Sequence, residues 1–132
     1  MNSKVLDPAG HIKIAVSNFK KSKQFYEVLF KFLNWKNIAE KENSAAWVSP
    51  DGFGFWVAQA KITEPKHTYT TPGLHHFCFK VNSVDKVNKL YNILKDNTLI
   101  FDKPANYPQY TEKYFAVFFA DPDGIKLEVA HY

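Results

Sequence analysis

Three residues could do chemistry together: His11, His76 and Glu128. Each lies in a stretch whose residues alternate in character as a half-buried strand does, namely Gly10 to Val16, His75 to Val81 and Ile125 to Val129. Alternation sets each histidine across from an aliphatic or aromatic row and sends Glu128 to the face opposite Leu127. The two imidazoles and the carboxylate could therefore meet on one concave sheet face. Such donors suit a divalent ion (Zn, Ni, Fe(II) or Mn), and three protein ligands leave positions open for water or substrate, as a catalytic metal requires.

The elements that must carry these residues can be read along the chain. Asp121-Pro122-Asp123-Gly124 marks a tight turn feeding the last strand, at about 125 to 131. At the other end, a first strand at 10 to 16 is followed by Ser17-Asn18, an N-cap for a helix from Phe19 to Leu33. Phe25, Val28, Leu29, Phe32 and Leu33 fall at helical spacing and form the stripe expected to lie on a sheet. Asn34 tolerates the left-handed conformation that ends a helix. Strands follow at about 36 to 41, 45 to 49 and 53 to 60. The Pro- and Thr-rich segment 61 to 73 reads as a linker. The pattern then restarts: a strand at 74 to 81, a Ser83-capped helix with Val87, Leu90, Tyr91 and Leu94 on one side, a strand near 98 to 102, a loop from Pro104 to Thr111, and a strand at 114 to 119.

The restart is a repeat. His11 falls on His76 at an offset of 65, and Asp51-Gly52 falls on Asp123-Gly124 at an offset of 72. The second copy thus carries seven extra residues, most simply in the Pro104 to Thr111 loop, and Trp56 falls on Glu128. Two copies of one strand-helix-three-strand unit must pair to bury their faces. The expectation is a single α+β domain over 1–132: module one at about 8–60, linker 61–73, module two 74–132. Pairing can occur within one chain or by exchange between two, so a homodimer fits as well.

Composition narrows the function. With 132 residues, 45% hydrophobic and 17% aromatic, the chain can bury a sizeable core unaided. Met1-Asn2-Ser3-Lys4 runs into a strand with no apolar signal core, and no apolar run is long enough to span a bilayer, so a cytoplasmic protein is expected. The one cysteine, Cys78, cannot form an internal disulfide. All 17 basic residues are lysines, dispersed along helices and turns, which argues against nucleic acid, where the arginine fork does much of the recognition.

With these motifs in hand, the chain resembles the vicinal oxygen chelate superfamily, the glyoxalase, bleomycin resistance protein and extradiol dioxygenase group. The resemblance runs through GHIKIAV, QFYEVLF…LNW, LHHFCFKV and, most specifically, YFAVFFADPDGIKLEV. It implies paired βαβββ modules forming a curved mixed sheet around a cleft, in which a divalent metal holds a small oxygenated substrate by neighbouring oxygens and stabilises an enolate or similar anion. The family's metal positions fall on His11, His76 and Glu128. Metal-dependent glyoxalases of this kind add a fourth ligand, a carboxylate that also moves the proton, and that position is Trp56 here. A two-His, one-carboxylate set is similar to that of extradiol dioxygenases and of fosfomycin-modifying thiol transferases. The latter carry a threonine where this chain has Lys13. The resemblance therefore implies a glyoxalase-like lyase or isomerase, or a ring-cleaving dioxygenase. The rival from another class is a metal-free protein that sequesters a drug or metabolite.

Other residues complete the expectation. Trp56, Lys13 and Cys78 are placed in the substrate pocket, Trp56 as a flat apolar wall that can neither ligate a metal nor shuttle a proton. Cys78 shares the His76 face and so could border the site, but filling core space is the favoured role for a small buried thiol. Tyr107, Tyr110 and Tyr114 border the longer loop, where a phenol could donate to an oxygen of the substrate, and Tyr110 with Glu128 forms the expected catalytic pair. Lys80 and Lys126 also fall on the cleft side by alternation. His75 should point away from His76, toward the helices, in a structural role, and neither His67 nor His131 is expected in the site.

Overall fold

The computed structural model describes residues 9–132, so the readings of Met1 to Lys4 and of the first residue of module one lie outside the described residues. The described chain divides into two compact units, one ending at Thr63 and the other beginning at Glu64.

Unit one runs β1 (His11–Val16), α1 (Phe19–Leu33), β2 (Lys36–Glu40), β3 (Ser44–Val48) and β4 (Gly54–Gln59). Unit two repeats it as β5 (Phe77–Lys80), α2 (Val84–Leu94), β6 (Ile100–Asn106), β7 (Phe115–Ala120) and β8 (Lys126–His131). Each unit is a four-stranded mixed sheet, ordered β1-β4-β3-β2 and β5-β8-β7-β6. The first pair in each order is parallel and the other two are antiparallel. This is the α+β architecture of two βαβββ modules.

Capping residues set the helix bounds. Asn18 accepts at its side-chain oxygen from the Lys21 N–H (3.2 Å), and Ser83 does the same for Lys86 (3.2 Å); such caps stabilise by about 1 kcal/mol each. Asn34 closes α1 at φ 61°. One expectation fails on α1: its buried face is Phe19, Ser22, Tyr26, Leu29 and Phe30, while Val28 is exposed and Phe25, Phe32 and Leu33 are only half-buried. The helix carries aromatic residues around more than one face, and stacking of Phe30 on Trp47 (4.9 Å) and against Phe55 (5.3 Å) decides which face turns inward.

The repeat extends to hydrogen-bond chemistry. Asp121 Oδ1 accepts from the Asp123 and Ile125 N–H groups (2.8 and 2.9 Å), and Ser49 Oγ, the matching position, accepts from Phe53 N–H (2.9 Å). Gly52 and Gly124 take the matching left-handed corners at φ 99° and 81°, which glycine adopts without strain. Gln59 and His131 also correspond. Gln59 Nε2 donates to Ser17 O (2.9 Å), and His131 Nδ1 lies 3.1 Å from Val81 O, each tying the last strand of its module to the end of the first.

Two further corrections concern unit two. β5 starts at Phe77, so His75 and His76 precede it in irregular backbone, where strand alternation does not apply. β6 runs on through Pro104 to Asn106, shortening the expected loop. Its edge position and its register shifts between Ile100 and Asp102 and between Asp102 and Ala105 explain how a strand admits proline. α2 covers one face of its sheet, where Val87, Leu90, Leu94, Val117, Phe119, Leu127 and Val129 are buried. The other face presents Phe118, Lys126 and Glu128.

Candidate functional site

Site residues on that second face arise from β8 and from the segment before β5. The parallel register pairs Cys78 with Glu128, and the antiparallel register pairs Phe118 with Glu128. Glu128 is 2% exposed, yet no lysine pairs with it among the described residues. Its carboxylate is held instead by His76, whose Nε2 lies 3.1 Å from Oε1, and by Tyr114, whose hydroxyl donates to Oε2. A buried carboxylate is costly unless compensated in this way.

His75 is not where alternation put it. Its Nδ1 lies 2.7 Å from His76 Nδ1, and both imidazoles line the same cleft. A neutral His76 ring that donates through Nε2 to Glu128 accepts at Nδ1 from the Nδ1–H of His75. The result is a chain of three side chains, His75 to His76 to Glu128, met from the other side by Tyr114.

The cleft has a volume of about 330 Å³. His75, His76 and Glu128 line it together with Tyr107, Tyr110 and Tyr114, and Asp102, Phe118 and Lys126 complete it. The tyrosines support one another: Tyr107 stacks on Tyr110 (5.6 Å, 16°), and Tyr110 meets Tyr114 edge-on (5.3 Å, 70°). Burial, followed by the bond to Glu128, pushes the Tyr114 phenol far above its ordinary value, so it remains a neutral O–H donor. Burial also raises Tyr107. Tyr110 stands at the mouth, 60% exposed. The phenol bonded to Glu128 is thus Tyr114, a residue the sequence marked only as bordering the loop.

Cys78 does not line the cleft. It packs with Ala116, Phe118 and Ala130, and its thiol is pushed up to about 12, chiefly by burial and then by the charge of Glu128. At neutral pH it is a protonated, weakly nucleophilic group.

In unit one, β1 and β4 place the remaining expected residues on one face. The register pairs His11 with Gly54 and Lys13 with Trp56, repeating the pairing of Cys78 with Glu128. A Cβ on Gly54 would stand 3.1 Å from His11 Cβ and 3.6 Å from Trp56 Nε1, so glycine leaves the space these two side chains share. Lys13 Nζ lies 5.7 Å from the Trp56 ring centre.

Among the described residues no three His, Cys, Asp or Glu side chains are grouped for a metal ion. The two donors that unit two does bring together have the right chemistry for one. An imidazole Nε2 faces a buried carboxylate oxygen, and each donor has an outer partner, His75 on His76 and Tyr114 on Glu128, of the kind that orients metal ligands.

Comparison with known proteins agrees with this architecture. A sequence model of the Glyoxalase/Bleomycin resistance protein/Dioxygenase superfamily matches residues 9–129. The uncharacterized protein YqjT of Bacillus subtilis (strain 168) is 28% identical over 123 residues, covering 90% of this chain and 94% of its own. Among solved structures, a protein of Bacillus halodurans superposes with a TM-score of 0.82 at 22% identity, over 95% of this chain and 96% of that one. A glyoxalase/bleomycin resistance protein from Albidiferax ferrireducens T118 gives 0.77 at 18% identity, over 93% and 98%.

Proposed function

The chain belongs to the Glyoxalase/Bleomycin resistance protein/Dioxygenase superfamily, and from that membership we propose that it is a divalent-metal-dependent enzyme acting on a small oxygenated molecule, of lyase or isomerase or ring-cleaving type. The observation that carries the proposal is the buried Glu128 carboxylate, facing His76 Nε2 at 3.1 Å at the wall of a cleft. His11, His76 and Glu128 would hold the ion, whose chemistry is to polarise substrate oxygens as a Lewis acid. The chain's own groups do the rest. His75 fixes the ring of His76 through Nδ1, and Tyr114 restrains Oε2 of Glu128 with a proton it does not readily lose. Tyr107 and Tyr110 give the substrate a flat wall. The proposed proton donor to a substrate oxygen is the Tyr110 hydroxyl, a reading supported by the exposed position of Tyr110 in the cleft lining.

A second reading has its own support. Trp56 occupies the repeat position of Glu128, so unit one offers an indole where a fourth ligand would stand. With the tyrosine-lined cleft, this favours a metal-free protein that sequesters a flat molecule. Metal analysis separates the two. Protein purified without added chelator and reconstituted with Zn, Ni, Fe(II) or Mn is expected to retain close to one ion per chain, and His11→Ala and His76→Ala are each expected to lose it. Metal content at background after reconstitution would leave only the sequestering protein.

The proposal includes a single domain built from both modules, working in the cytoplasm, with a homodimer as the alternative assembly. No helix among the described residues is long and apolar enough to cross a membrane. Light scattering of the purified protein distinguishes one chain from two.

A further inference from the structure

Among the described residues Lys126 is the one lysine that lines the cleft, and its surroundings are unusual for a lysine. Its ammonium lies 4.6 Å from the ring centre of Tyr69, 5.0 Å from Phe118 and 5.6 Å from Phe101. Three rings surround the ammonium, which restricts the rotamer freedom a surface lysine keeps. No carboxylate among the described residues lies within ion-pair distance of it, although Asp102 lines the same cleft on its exposed side. Ring faces attract the cation but accept none of its N–H bonds as a carboxylate or phosphate would. The equivalent position in unit one is Gly54, so the repeat itself does not demand a lysine here.

The geometry points to Lys126 as an anion-recognising residue, selecting substrates or ligands that carry an acidic group beside a flat apolar part. Lys126 and Glu128 leave β8 on the same face, two residues apart, so a molecule seated in the cleft against its aromatic lining can set its acidic group on Lys126 while its remaining atoms meet His76 and Glu128. The inference deepens the reading of this cleft as the ligand site and does not depend on a metal being bound.

Benzoate and benzamide are suitable probes, since they share a ring and a planar substituent and differ in charge. Each would be titrated into the whole protein and followed by amide NMR shifts, in zinc-loaded and chelator-treated samples whose metal content is measured separately. Lys126→Met keeps the apolar stem and removes the charge. Wild-type protein is expected to bind benzoate about tenfold more tightly than the variant does, as loss of a charged hydrogen bond implies, with benzamide binding unchanged within about twofold. The shifts should centre on Phe118, Lys126 and Glu128. Equal benzoate affinity in the two proteins, or no shift at the cleft with either probe, overturns the inference. Because the wild-type-to-variant ratio is read at each metal content, loss of the metal proposal leaves it readable.

Discussion

Replacing Glu128 by glutamine is expected to leave the metal-free fold intact and, if the proposed site holds a metal, to weaken divalent-metal binding by about 100-fold or more, since it removes the anionic ligand of the proposed site, where loss of an outer partner alone costs tens of fold. The amide can keep both contacts of the carboxylate: its oxygen accepts from Tyr114, and its NH₂ donates to His76 Nε2 once His75 and His76 exchange donor and acceptor roles. What it drops is a formal charge in a buried site where, among the described residues, no lysine forms an ion pair with it. Metal-free stability, read by urea unfolding, is therefore expected to stay within about 1 kcal/mol of wild type or to rise. Metal affinity, read by calorimetric titration, should collapse. Severe unfolding of the glutamine variant would make Glu128 a structural residue, and unchanged metal affinity would remove it from the ligand set.

Phe30→Ala is expected to cost about 3–5 kcal/mol, a large share of the 5–15 kcal/mol typical of a small protein. Phe30 is fully buried. Its ring lies 5.0 Å from Trp35, 4.9 Å from Trp47 and 5.3 Å from Phe55, so truncation leaves a cavity walled by three large, rigid groups that cannot collapse into it. Val28→Ala, on the exposed face of the same helix, is expected to change stability by less than about 0.5 kcal/mol. Equal losses from the two variants in denaturant titrations would mean that the inward face of α1 has been misassigned.

That contrast shows where sequence patterns stop being decisive. The bounds of α1 were legible because Asn18 and Asn34 are chemical signals at single positions, and the turn at Asp121 to Gly124 was legible for the same reason. The repeat was legible because its two offsets reappear as strand register, Lys13 with Trp56 and Cys78 with Glu128. The face of α1 was not, because Phe25, Val28 and Phe32 compete with Tyr26 and Phe30, and only partners distant in sequence choose between them. His75 was misread because alternation was carried two residues past the start of β5, into backbone with no period of two. Tyr114 shows a third limit. Its bond to Glu128 depends on the path of the turn between β6 and β7, and no spacing rule reports that path.

Whether His11, His76 and Glu128 share one metal ion, as proposed, is read from anomalous diffraction by crystals of the zinc-reconstituted protein. One strong anomalous peak is expected, with an imidazole nitrogen of His11, an imidazole nitrogen of His76 and a carboxylate oxygen of Glu128 each about 2.0–2.2 Å away. No peak at the cleft, or a peak held by His76 and Glu128 with His11 elsewhere, would contradict the shared site.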